Sequence, residues 1–462
     1  MKVESISDQK GLGRAQLELQ DFRFDDLRAK TLIDVETIQR LSISSISVAS
    51  VISAHMVRTS AVDVIELEKM TVDEDSASRL FSFEKSSSVA LQNCTFNPRY
   101  LDEGVTIRGN TSSRVMISGL IFSGIKVGPL RGDLIRCDAE LYMKDTVFSL
   151  LKNFATIIHL ENGGIFDRVQ WRDVSNHPNG VISFKNIPGN ARLMWHSCVF
   201  QGISECKSIV DLTSSKFNLL RVQRLNFTNL VVQNLSTLYV FLFSDPHIEV
   251  EMEVFHSLLS DLKLSALTEP LPKLFRAENV SFLRIEQENE ASAFSNALLS
   301  SSKRVGGLVE LKRCQFANTT KILYLESAQA HLEDIIVEDN HLSKQSLMDF
   351  RECNVTLVRS RFVNNNMKQL VYLFSSQFDI REILIQHNYC TSDGFSFRGY
   401  SQGSFLNVTA LDNYAGQSLL NFQDNSITSV NSLVAIRNEG TQGGVALCTD
   451  EAHLSISNST FE

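Results

Sequence analysis

Proline is scarce in this chain of 462 residues, with only 7 present. So few argue against Pro-rich linkers between the roughly three domains that such a length would suggest. Long apolar runs are missing too. The longest candidate, Leu238 to Phe243, falls far short of the ~18 residues that span a bilayer, so no membrane-spanning segment is expected. The first residues, MKVESISDQKGLGR, lack the apolar stretch of a secretory signal. Positive charge is not in excess either: 44 Lys and Arg face 53 Asp and Glu, a net charge of −9 that disfavours a nucleic-acid partner or an anionic membrane. What is abundant is core material, at 43% hydrophobic residues, together with 29 Phe and 55 Ser.

Part of the Phe excess belongs to an internal repeat. VALQNCTF (Val89 to Phe96) recurs in altered form as LMWHSCVF (Leu193 to Phe200), VELKRCQF (Val309 to Phe316), VTLVRSRF (Val355 to Phe362) and LSISNSTF (Leu454 to Phe461). Taking the last position as anchor places eighteen copies, at Phe24, Val48, Val72, Phe96, Phe122, Phe148, Trp171, Phe200, Phe227, Phe255, Phe282, Phe316, Val337, Phe362, Ile385, Ala410, Ala435 and Phe461. The residue five before each anchor is apolar throughout, as in Leu19, Ile43, Leu67, Leu91, Met143 and Trp195. The residue two before is apolar or small, with Glu253 as the exception. Between these columns lie two adjacent, mostly polar residues, such as Gln92–Asn93 and Lys312–Arg313. Apolar alternation of period two marks a half-buried strand, and two successive outward residues mark a corner between short strands.

Short strands, corners and a period near 25 residues, with no helical periodicity, describe an all-β, single-stranded parallel β-helix of about eighteen coils. At strand spacing, eighteen coils would stack into a rod of roughly 85 Å. The expectation is one continuous domain over residues 1–462, with an irregular or inserted stretch around 236–307. Within that stretch, Glu286 to Gly307 reads as a surface excursion with a helical turn or two around Glu290 to Leu299.

The phrases NCTF, SRFVNN and NSTF carry a resemblance. So do the apolar-x-x-Asn tetrads at Phe362 to Asn365, Val337 to Asn340, Ile385 to Asn388, Ala410 to Asn413 and Ala435 to Asn438. They resemble right-handed parallel β-helix proteins of the pectin-lyase-like fold. They are most similar to the FxxN repeats of polymorphic outer-membrane proteins and protist surface proteins. A Gly-Gly-apolar companion element occurs loosely at Gly163 to Ile165 and Gly443 to Ala446. The resemblance implies a right-handed coil and a surface role; it identifies a fold and not a chemistry.

The GHG and RIK strings that resemblance to polygalacturonases would require are missing. The nearest carboxylate cluster is Glu249, Glu251 and Glu253, which share one strand face at steps of about 7 Å. It reads either as a cation or acid/base site or as a solvated face, and in the second case Met252 and Val254 point inward. His387 with Cys390, and His196 with Cys198, resemble half of a zinc site but read as a corner histidine beside a core cysteine. Trp171 and Trp195 read as core. No catalytic, cofactor or metal residue is assigned, and no enzyme motif is found.

The 8 Cys are not read as a disulfide framework. Cys94, Cys198 and Cys314 share one inward column four coils apart, about 19 Å, well beyond the ~7 Å that a disulfide allows. Mostly free, buried thiols are expected. Nine N-x-[ST] acceptors stand at Asn93, Asn110, Asn226, Asn234, Asn279, Asn318, Asn354, Asn407 and Asn458, against about five by chance. Four of them, Asn93, Asn279, Asn407 and Asn458, fall on the corner three before an anchor.

These readings converge on a non-enzymatic extracellular or cell-surface structural or adhesive β-helix rod that carries N-linked glycans. The expected partners are its own copies, head-to-tail or lateral, or other surface and filament proteins. The alternative is a β-helix that binds or degrades polysaccharide, with a groove near residues 240–310. The last repeat ends at Phe461, so the chain is read either as a fragment or as a rod whose open end meets another copy.

Overall fold

A computed structural model describes residues 2–4, 15–25, 27–49, 52–73, 76–98, 100–127, 132–185, 192–212, 223–243, 250–269, 271–287, 297–301, 307–319 and 321–462. These residues form strands, turns and bends and no helix. Among the described residues every strand pairing is parallel and joins one turn to the next, so the fold is an all-β parallel β-solenoid. Its turns number about 15 at a period of ~25 residues. That is slightly fewer than the eighteen anchors. The chain divides into two compact units, one of residues 1–226 and 234–244, the other of residues 227–233 and 245–462.

One turn shows the grammar. Asn354–Val358 is a first strand, Arg361–Val363 a second and Asn366–Phe374 a third, each separated from the next by a two-residue corner. The anchors sit on the second strand and stack in register. In the first unit Phe24, Val48, Val72, Phe96, Phe122, Phe148, Trp171 and Phe200 pair in succession. In the second, Phe282, Phe316, Val337, Phe362, Ile385, Ala410, Ala435 and Phe461 do so.

Stacking puts like on like. Phe122 lies 5.4 Å from Phe148, Phe148 5.8 Å from Trp171, and Trp171 4.3 Å from Phe200, all near parallel. Each ring is essentially solvent-free, which contributes roughly 1.5–3 kcal/mol per side chain by burial alone. Trp171 and Trp195 are both core, as the repeat predicts.

Two anchors need correction. Phe227 lies on a first strand, Gln223–Thr228, and Phe255 ends another, Val250–Phe255. The second-strand positions are Val232 and Leu259, and Leu259 pairs with Phe282. Phe227 is buried on its strand, whereas Phe255 follows the outward face of Glu251 and Glu253 and is half-buried, so an apolar residue near a corner does not by itself locate it. The backbone does. With these two replacements, every residue three before an anchor has φ between 48° and 64°, Gly119 being the one glycine among them. Left-handed geometry costs a residue with a Cβ about 1–2 kcal/mol. The stack offsets it, because corner N–H groups donate to carbonyls of the next turn, as Asn93 does to Ser118 (2.8 Å) and Arg168 to His196 (2.8 Å).

The apolar-x-x-Asn tetrads have a definite job. Asn340, Asn365, Asn388 and Asn413 are buried and, with Asn438, form a ladder inside the second unit's corner. Each Nδ2 donates to the Oδ1 of the next asparagine at 2.8–2.9 Å. The same Oδ1 accepts the previous asparagine's backbone N–H at 2.9–3.2 Å. Every buried polar group in the run is thereby paired.

The eight cysteines are free, seven of them buried and Cys448 exposed. Cys94, Cys198 and Cys314 occupy the inward corner column and donate to carbonyls at 3.2–3.5 Å. Ser257 and Ser360 fill the same column and bond the same kinds of partner. Burial pushes these thiols up to about 11 or 12, which makes them poor nucleophiles.

Asn388→Ala removes two acceptor bonds to Asn365 and leaves the Phe362 carbonyl without its amide partner. We expect a loss of about 3 kcal/mol in urea unfolding followed by circular dichroism. A loss below about 1 kcal/mol would show that water replaces the ladder.

Candidate functional site

The acidic face from the sequence is built as a strand face. Met252 and Val254 are buried, so Glu251 and Glu253 point outward; Glu249 lies outside the described residues. Glu253 is taken up by Arg276 on the next turn (2.8 Å), and Arg276 also binds Glu310 on the turn after (2.6 Å). The carboxylates hold Arg276 above its ordinary value, Glu310 most strongly. The cluster is a rung-to-rung ion-pair ladder, with a shallow depression of about 350 Å³ beside it that includes Lys312, His331 and Glu333.

The histidine–cysteine pairs separate as the corner geometry requires. His196 and His387 are exposed while Cys198 and Cys390 are buried, and His387 faces Asp412 at 3.4 Å. Among the described residues no three His, Cys, Asp or Glu side chains come together as a metal-holding group. The helical turns expected around Glu290 fall outside the described residues, and Leu299–Ser300 is strand.

The acceptor asparagines divide by environment. Asn93, Asn234, Asn318, Asn407 and Asn458 are exposed at left-handed corners, and Asn354 is exposed on a strand. Asn226 is half-buried. Asn279 is half-buried too; its Oδ1 accepts from Arg313 at 2.7 Å and its amide lies 3.4 Å from His256. Asn110 lies in the strand Tyr100–Ser118.

The most chemically developed concavity was not expected. In the first unit, outward residues of consecutive third strands line a groove of about 490 Å³. Thr106, Arg136, His159, Ser183 and Asp211 are successive register partners there. The neighbours inward of them, such as Ile135, Ile158 and Leu160, are buried, so the backbone fixes which side chains face the groove. His159 Nδ1 lies 2.8 Å from Ser183 Oγ. Arg136 pairs with Glu161 at 2.9 Å, and Lys207 reaches the buried Asp211 at 3.7 Å.

Burial governs its titration. It raises Asp133 to about 6, against a smaller opposing effect of Arg136 and a reinforcing one of Glu103. It lowers His159, helped by the neighbouring Arg136. At neutral pH the groove therefore holds a neutral imidazole and a carboxyl that titrates near 6, beside Lys185 and Lys207. Such a set can bind a hydroxyl-rich or charged ligand and can exchange protons with it. Its members come from five turns about 25 residues apart, so no local motif announces them. The one sequence signal is charge at the outward positions of third strands.

No family model matches the chain, and no curated protein matches it. Among solved structures, a mutant of the PL6 family alginate lyase AlyGC is similar over 98% of this chain and 87% of that one, at 9% identity and a TM-score of 0.21. The unmutated lyase is similar over 98% of both chains, at 9% identity and a TM-score of 0.18.

Because ionising Asp133 opposes folding, stability falls as pH rises from about 4 to about 6. Asp133→Asn removes that slope. Variant and wild type should unfold alike at pH 4 and differ by roughly 2 kcal/mol in the variant's favour at pH 7, after discounting for partial exposure. His177, lowered to about 4 by burial, destabilises both proteins as pH falls below 6.5 and cancels in the comparison. An equal difference at both pH values would mean that Asp133 is solvated.

Proposed function

We propose that this chain is a non-enzymatic, extracellular structural or adhesive β-solenoid, glycosylated at its corners and associating with its own copies or with other surface components. The observation that carries the reading is how outward charge is used. Acid and base from successive turns neutralise each other along the surface: Asp145 with Arg168, Asp261 with Arg284, Asp334 with Arg359 and Asp412 with Arg437, three of these as two-bond pairs near 2.5–3.0 Å. An exposed pair contributes only about 0–1 kcal/mol, but repeated pairing fixes register and leaves a surface suited to scaffolding. The exposed acceptor asparagines support the extracellular part of the reading. The apolar-x-x-Asn tetrads, which resemble the repeats of surface proteins, support it as well.

Peptide mapping of protein from its native source should find glycan mass at Asn93, Asn407 and Asn458. Bare sequons throughout would remove the glycoprotein part. Electron micrographs of the same material should show associated copies, and monodisperse single copies would remove the self-association part.

One observation favours a second reading, a polysaccharide-binding or polysaccharide-degrading solenoid: the Asp133–His159 groove. It lies in the first unit and not near residues 240–310. Under this reading, incubation with acidic and neutral polysaccharides releases new chain ends, and Asp133→Asn and His159→Gln abolish the release. No release by the wild type favours the structural reading.

A further inference from the structure

The second unit carries a separate, strongly cationic pocket of about 300 Å³ on its own third strands. Lys321, Arg351, Lys368 and Arg398 line it, against the single carboxylate of Asp349. The register places it: Tyr324, Asp349, Tyr372 and Ser396 are successive outward partners, with Arg351 and Arg398 two residues further along their strands, on the same face.

Two of the cations share one carboxylate. Lys321 is 3% exposed and reaches Asp349 Oδ2 at 3.3 Å, while Arg351 Nε reaches the other oxygen at 3.3 Å. Charge-assisted bonds prefer about 2.7–2.9 Å, so one carboxylate is shared between two cations at the long end of the range. The Nε of Arg398 is buried and has no hydrogen-bond partner. A second carboxylate, Asp393, lies behind the pocket, where Gln369, Ser392 and Asn421 donate to it at 3.0–3.2 Å. That makes two carboxylates to four lining cations; Glu326, the register partner of Arg351, and Asp424 act on Tyr324 and Tyr372 from outside the lining. Two aromatic faces help to hold the cations: Lys321 sits 4.6 Å over the Tyr324 ring and Arg351 5.9 Å over that of Tyr372. Burial depresses the Lys321 ammonium, and an anion beside it would restore the charged form.

We propose that this pocket is a binding site for an oxyanion, a carboxylate or sulfate group, seated between Arg398, Arg351 and Lys321 with Lys368 at the exposed rim. The forked guanidinium groups supply in-plane donor pairs that match either group. The chloride ion offers no such geometry. The site is independent of the glycan and self-association readings above.

The test is isothermal titration of the full chain at constant ionic strength with sodium sulfate and sodium glucuronate, with sodium chloride and glucose as references. We expect saturable binding of sulfate, glucuronate or both. Whichever binds identifies the group. Arg398→Gln and Lys368→Met should each weaken that binding at least tenfold; Lys368 is exposed, so its variant tests the site without disturbing the core. Wild-type binding no tighter than that of chloride, or undiminished binding by both variants, overturns the proposal.

Discussion

Everything in this molecule depends on the parallel register between one turn and the next. A turn has no hydrogen-bond partners of its own along its strands; each N–H and C=O must find the turn before or after. A slip of one residue would turn an entire strand inside out. Register is therefore the quantity under strongest constraint, and inward columns, corners and surface pairs are three ways of fixing it. The aromatic stack from Phe96 to Phe200 fixes it by shape. The surface ion pairs repeat the instruction weakly.

The asparagine ladder shows why a polar residue is kept inside. One amide hydrogen bond nets only about 1 kcal/mol, but an unmatched buried amide costs about 1–3 kcal/mol. A ladder of identical residues satisfies itself only when every turn is in step, so it penalises misregistration more than it adds stability. An apolar column of the same volume would tolerate a shift that Asn365 and Asn388 do not. Left-handed corners follow the same logic. Residues as unsuited to positive φ as Lys69, Arg168 and Glu382 are held there by backbone bonds to the adjacent turn.

The outward faces of the third strands are less constrained, and both concentrations of unusual charge are found there. In the first unit the groove around His159 mixes acids and bases and holds two groups away from their ordinary titration range. In the second, the pocket around Lys321 is dominated by cations. The strand geometry is common to both; the chemistry differs because outward positions carry no packing requirement.

The inward half of the protein was legible in its sequence. The column ending in Phe96, Phe122 and Phe148, the core role of both tryptophans and the burial of Cys94, Cys198 and Cys314 all follow from period-two alternation repeated every 25 residues or so. Legibility failed where two placements satisfy the same pattern: Phe227 and Phe255 are apolar and near a corner, yet Val232 and Leu259 are the residues on the second strand. It failed completely for the grooves. Asp133 and His159, or Lys321 and Arg398, are ordinary polar residues in separate turns, and nothing in the flanking residues of either says which charge will lie opposite. Sequence by itself determined the solenoid, because burying an apolar column is a local requirement that every turn repeats. Only the tertiary structure decided which charges meet, because those encounters occur between turns, through a register that no single turn encodes.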